Sequence, residues 1–171
     1  MKFILGIIVG IGLVVATVFC YFYAGFAPVA TAAPPMPFEI KLAHAALDAR
    51  IDKEAPKAPP FLATDADLQD AAHLYREHCA MCHGVMTGDK TATAKGMFPQ
   101  PPKLLQGKGV TDDPAGETYW KVSNGIRLTG MPSYKGDLSD KQIWEISQML
   151  AGADKLQPDV QAILQPPVKA E

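Results

Sequence analysis

The chain reads as all-α. Three stretches carry apolar residues at spacings of three and four behind helix-start residues. No segment alternates convincingly as a strand, and a long apolar run opens the chain. At 171 residues the chain has room for one domain after a leader and a linker. Its 15 prolines cluster at 28–37, 56–60, 99–102 and 166–167, marking connectors, and no internal repeat is evident. The net charge of −2 argues against nucleic acid as a partner.

Taken in order, the first element is residues 1–27. Phe3 to Ala27 is apolar or small throughout, and Lys2 is the only charge before Glu39. Roughly 20 such residues cross a bilayer as a helix, so the length favours a retained transmembrane anchor. A cleaved leader is the alternative, because Ala30-Thr31-Ala32 offers a small-residue site. Cleavage near Ala32 would release a soluble periplasmic protein. Cys20 follows bulky Phe19 rather than the small residue of a lipoprotein signal, and reads as a lipid-facing side chain. Residues 28–63 read as a Pro/Ala-rich stalk. Within it, Phe38 to Lys53 is a short amphipathic helix with Leu42, Ala45, Ala46 and Ala49 on one stripe and His44 at its surface. Pro56, Pro59 and Pro60 then favour extended backbone.

The globular domain is expected over 64–153, followed by a tail at 154–171. Thr64 with Asp67 forms a capping-box pattern. Leu68, Ala71, Ala72, Tyr75, Cys79 and Cys82 then follow at helical spacing. Tyr75 reads as a core aromatic and His78 as exposed. A second helix is expected from Asp113-Pro114, with Tyr119, Val122 and Ile126 inward and Asn124-Gly125 at its end. The third opens at Leu138-Ser139. Gln142 completes its capping box, Ile143, Ile146, Ser147 and Leu150 form its stripe, Trp144 borders that stripe, and Gly152 ends it.

Cys79-Ala80-Met81-Cys82-His83 is a C-x-x-C-H run. Two thiols on one helical turn suit thioether bonds to the two haem vinyl groups, and the next histidine then lies under the iron. A thioredoxin-like pair belongs at a strand end, but this one ends a helix. A four-ligand zinc site needs a second pair of ligands at short spacing. Cys20, His44, His73 and His78 form none. One motif implies one haem c, and c-type attachment places the domain outside the cytoplasm.

With these residues the region 64–153 resembles a class I c-type cytochrome. The resemblance rests on Cys79-x-x-Cys82-His83-Gly84 at a helix end, Gly130-Met131-Pro132 in a later loop, Tyr75 one turn before Cys79, and an aromatic-bearing final helix. It implies a fold of about 3–5 helices around one covalent haem. His83 and Met131 would be the axial ligands. Pro102-Lys103-Leu104 would supply a main-chain carbonyl for the His83 Nδ1 proton, and the final helix would cross the first, bringing Trp144 towards Tyr75. Arg127 is a candidate contact for a propionate.

The residues themselves leave Met97 and Met131 as candidates for the distal face. Met81 and Met86 are tethered near His83, and Met149 belongs to a packed helix. Met97 falls on the arm expected to wrap the proximal side, whereas Met131 lies in an interhelical loop between Gly130 and Pro132. Met131 is preferred.

A histidine–methionine pair fills both axial positions, which suits an electron carrier rather than an enzyme. Such an anchored carrier would serve a quinol-oxidising complex, a terminal oxidase or a periplasmic reductase at the inner membrane, its haem domain on the periplasmic side. It would equally suit a subunit of a larger complex. Two other classes stay open: a haem sensor or weak peroxidase with a labile Met131, and a membrane-anchored dithiol protein without haem.

Overall fold

The structure is a computed structural model and describes residues 2–106 and 111–166; the last five positions of the expected tail lie outside the described residues. Among the described residues there are eight helices and no strand. They divide into two compact units, one ending at His44 and one starting at Ala45.

The first unit contains α1 (Lys2–Tyr23), whose 22 residues have a mean hydropathy of 2.8 in their most apolar window and none buried. At 1.5 Å per residue it reaches about 33 Å, enough to cross a hydrocarbon core of about 30 Å. The helix stops short of Ala27 because the backbone turns. Gly25 N–H donates to the Phe22 carbonyl at 3.1 Å and Phe26 N–H to that of Tyr21 at 3.1 Å, the pair of bonds that ends a helix in a Schellman turn.

The second unit begins inside α2 (Glu39–Glu54). Leu42, Ala45, Ala46 and Ala49, the stripe read from the sequence on a short exposed helix, are all exposed. The helix is held at its C-terminal end. Ile51 and Ala55 are buried, Trp120 Nε1 donates to Glu54 at 3.1 Å, and Gly116 lies against Pro56 so closely that a Cβ there would come within 1.8 Å of the Pro56 carbonyl oxygen. Phe61 lies beneath the Lys141 ammonium, and Ala63 N–H donates to Gln148 Oε1 at 3.1 Å. Residues 51–63, expected as free stalk, therefore line the folded domain.

Helix α3 (Asp65–His78) starts at the Thr64–Asp67 capping box, with both reciprocal bonds present. A one-turn α4 (Ala80–His83) and a one-turn α5 (Ala92–Lys95) follow. Helix α6 (Ala115–Asn124) starts one position later than expected. Pro114 occupies the cap, and the Asp113 carboxylate, expected to cap, accepts instead from Lys121 at 2.5 Å. Helix α7 (Asp140–Ala151) carries the expected Ser139–Gln142 capping box, and Leu138 and Ile143, both buried, are placed as its hydrophobic staple.

The core is built where α7 packs on α3 and α6. Ala71, Ala72, Tyr75, Ile146 and Met149 are fully buried there. Each large apolar side chain so buried contributes about 1.5–3 kcal/mol. The core extends past residue 153: α8 (Pro158–Leu164) lies along α3, and its Val160 and Leu164 are fully buried. Arg76 secures this helix by donating to the carbonyls of Ile163 and Gln165 at 2.8 and 3.1 Å.

One lysine joins the starts of α3 and α7. Lys141 bridges Asp67 at 2.5 Å and also Glu145. The two carboxylates respond oppositely. Hydrogen bonds from Lys141, then Thr64, hold Asp67 well below the usual range, whereas burial pushes Glu145 up despite its lysine. The difference follows from exposure, since the Glu145 side chain is 3 % exposed and that of Asp67 18 %.

Candidate functional site

The C-x-x-C-H run straddles a helix boundary. Cys79 is both the last cap of α3 and the first of α4, and its N–H donates to the Tyr75 carbonyl at 2.9 Å. Cys82 and His83 N–H both return to the Cys79 carbonyl, at 3.1 and 2.9 Å, so the two thiols and the imidazole share one tight turn. Burial pushes the Cys79 thiol up to about 12, and Cys82 adds to the effect. A disulfide-exchange cysteine needs the opposite shift, since the thiolate is the nucleophile.

His83 Nδ1 lies 2.8 Å from the Pro102 carbonyl oxygen. A carbonyl only accepts, so the ring proton belongs on Nδ1 and Nε2 keeps its lone pair, the form a metal-binding imidazole requires. Burial holds this histidine below its usual value, with the Pro102 bond opposing, which favours the neutral ring. These donors fit a haem: two adjacent thiols and one neutral imidazole with a bare nitrogen.

The chain between His83 and Pro102 is tied down by side chains bonding to main chain. Thr91 Oγ1 donates to the Met81 carbonyl at 2.7 Å, Lys103 Nζ to that of Gly88 at 2.8 Å, and Gln106 Nε2 to that of Val85 at 3.2 Å. Tyr75, fully buried, donates its hydroxyl to the Gly84 carbonyl at 2.9 Å. Leu104 is half-buried and packs on the core beside buried Leu105.

Met131 is half-buried against the same core. Its N–H donates to Thr129 Oγ1 at 3.1 Å, and its carbonyl accepts from Ile126 N–H at 3.1 Å. The loop is tied to the end of α6 by Tyr134 N–H to the Val122 carbonyl and Ser133 Oγ to the Ser123 carbonyl, at 3.0 and 2.6 Å. Gly125 makes the close fit possible. It has φ +66°, and a Cβ there would come within 2.7 Å of the Pro132 and Ser133 backbone.

Several residues differ from the sequence expectation. The aromatic partner of Trp144 is Tyr119, stacked at 4.2 Å, while Tyr75 turns to Gly84. His78 is half-buried, edge-on to Tyr134, whose hydroxyl donates to the His78 carbonyl at 2.8 Å. Arg127 does not differ: it is exposed on the Met131 loop, where a propionate or solvent contact stays open, beside Leu128, which is 93 % exposed. Met97, expected on the proximal arm, reaches Gly130 instead.

Residues 66–149, just under half of the chain, match the family model described as cytochrome C oxidase, cbb3-type, subunit III. No curated protein matches the chain. The matched region contains the C-x-x-C-H turn, Pro102 and the Met131 loop. Residues 66–149 are a cytochrome c domain, a haem module of the electron-transport class, and the long apolar helix α1 precedes it.

Proposed function

We propose that this protein is a membrane-anchored, monohaem electron carrier. Cys79 and Cys82 would hold one haem c by thioethers, with His83 Nε2 and Met131 Sδ as its axial ligands. The observation that carries this reading is the 2.8 Å contact between His83 Nδ1 and the Pro102 carbonyl, which leaves Nε2 as the coordinating atom. When bound, the iron supplies one-electron cycling between its ferrous and ferric states. The chain's own part is to keep both ligands in place in each state. The Pro102 carbonyl orients the imidazole, and bonds to Ile126 and Thr129 fix the Met131 backbone. A thioether ligand favours ferrous iron and raises the potential. With both axial positions filled, the carrier reading is preferred to a haem sensor or a weak peroxidase. The raised Cys79 thiol argues against a dithiol exchanger.

The matched family is named for an oxidase subunit, and that favours a terminal oxidase among the possible electron acceptors. The length and hydropathy of α1 support a retained single-pass anchor in the inner membrane, with the domain on the periplasmic side.

Acidified organic solvent tests the attachment. The full chain, matured with haem, should keep one iron per polypeptide through extraction, and full release of haem would refute the thioethers. Intact mass of the native protein tests the anchor. A mature chain beginning near Ala33 and found in the soluble fraction would replace the tethered carrier with a diffusing one.

A further inference from the structure

The two methionines that compete for the distal position meet in the fold. A Cβ built on Gly130 would lie 1.7 Å from Met97 Cε and 3.4 Å from its Sδ. The end of the Met97 side chain therefore lies directly on the residue that precedes Met131. Met97 is half-buried and follows α5, whose cap bonds, from Thr91 Oγ1 to Ala94 N–H and from Gly96 N–H to the Ala92 carbonyl, fix where its side chain starts. The Met131 backbone is itself held within its own loop by Thr129 and Ile126.

We infer that Met97 is a positioning residue for the distal side, its thioether end seated on Gly130 so that the Met131 segment stays in place. The inference rests on Met131 being the distal ligand. A side chain at 130 would displace the Met97 methyl from the space it fills. A flexible residue serves here because an unbranched thioether moulds to an irregular gap. The role requires volume and apolar contact rather than sulfur, so leucine should replace methionine at 97.

The test is imidazole titration of the ferric, haem-loaded full chain, read by loss of the methionine-to-iron charge-transfer band. Met97→Ala should keep the band but bind imidazole about tenfold more tightly once this contact is lost. Met97→Leu should stay near wild type. Gly130→Ala should expel the Met97 end and tighten imidazole binding to a similar degree. Combining Gly130→Ala with Met97→Ala should restore much of the wild-type value, because the new methyl fills the vacated space. Unchanged imidazole affinity in Met97→Ala, or no recovery in the double variant, overturns the positioning role and leaves Met131 as ligand. A band that vanishes in Met97→Ala and survives in Met131→Ala overturns both assignments. A wild-type chain without the band overturns the distal reading, and this inference with it.

Discussion

On one side of the site, His83 follows two cysteines within a single turn, and its ring is fixed by a carbonyl 19 residues further along the chain. On the other side, Met131 sits in a loop bonded mainly within itself and to the end of α6, half-buried against the core, with the end of the Met97 side chain on neighbouring Gly130. The proposed proximal ligand is thus embedded in a segment bonded to itself at several distant points. The proposed distal ligand lies in a short loop whose one long-range hydrogen bond runs from Tyr134 to the His78 carbonyl, with apolar packing against the core and Met97 on Gly130. The proximal side should change little between oxidation states or variants. If the proposed ligation holds, the distal side is where the potential and access to outside ligands should be set.

The largest effect should come from His83→Ala. It removes the imidazole proposed as the proximal ligand and should abolish stable six-coordinate iron. The loss should be seen as a high-spin ferric spectrum with the haem still attached through Cys79 and Cys82. A low-spin spectrum in that variant would break the comparison, since some other residue would then serve the proximal face.

Ile51→Ala comes next and sharpens the comparison by sparing both sides. Ile51 is 2 % exposed, so its truncation should cost about 2–4 kcal/mol in chemical unfolding. The spectrum and potential should stay unchanged. Stability within about 0.5 kcal/mol of wild type, as for an ordinary surface change, would mean that residues 51–63 are the free stalk the sequence suggested.

Thr91→Ala should have a smaller effect. Its hydroxyl both donates to the Met81 carbonyl and caps α5, so its loss should cost about 1 kcal/mol. Because α5 leads to Met97, the same variant should also raise imidazole affinity slightly, which unfolding and titration together would measure.

The smallest effect concerns pH. Asp67 is held well below its ordinary value of 3.8, chiefly by Lys141, so its contribution is present above that pH and fades as pH falls below it. Glu145 is pushed up by burial, and its contribution runs the other way, fading as pH rises through its raised value. Asp67→Asn should therefore narrow the stability difference between pH 5 and pH 3, compared with wild type in acid unfolding, and alter neither ligand. An unchanged difference would remove Asp67 from the acid response.

Much of this was legible in the residues. Thr64–Asp67 and Ser139–Gln142 are local patterns with a local cause, and both capping boxes formed. The apolar stripe of α7 is buried as its spacing predicts, and the resemblance anticipated a main-chain acceptor for His83 at Pro102. What escaped depends on distant partners. Val160 and Leu164 sit in a short helix between proline-containing segments, and only packing against α3 gives them a core. Likewise α2 docks through Ile51, one turn from the helix end and outside its apolar stripe. Met97 reaches Gly130 across α6 in sequence, and no periodicity encodes such a contact.

The most direct test of the carrier is the optical spectrum of the ferric, haem-loaded full chain beside that of Met131→Ala. The account predicts a methionine-to-iron charge-transfer band in the wild type that disappears in Met131→Ala, with a lower reduction potential in the variant. A band that persists in Met131→Ala, or a high-spin wild-type spectrum, would contradict it.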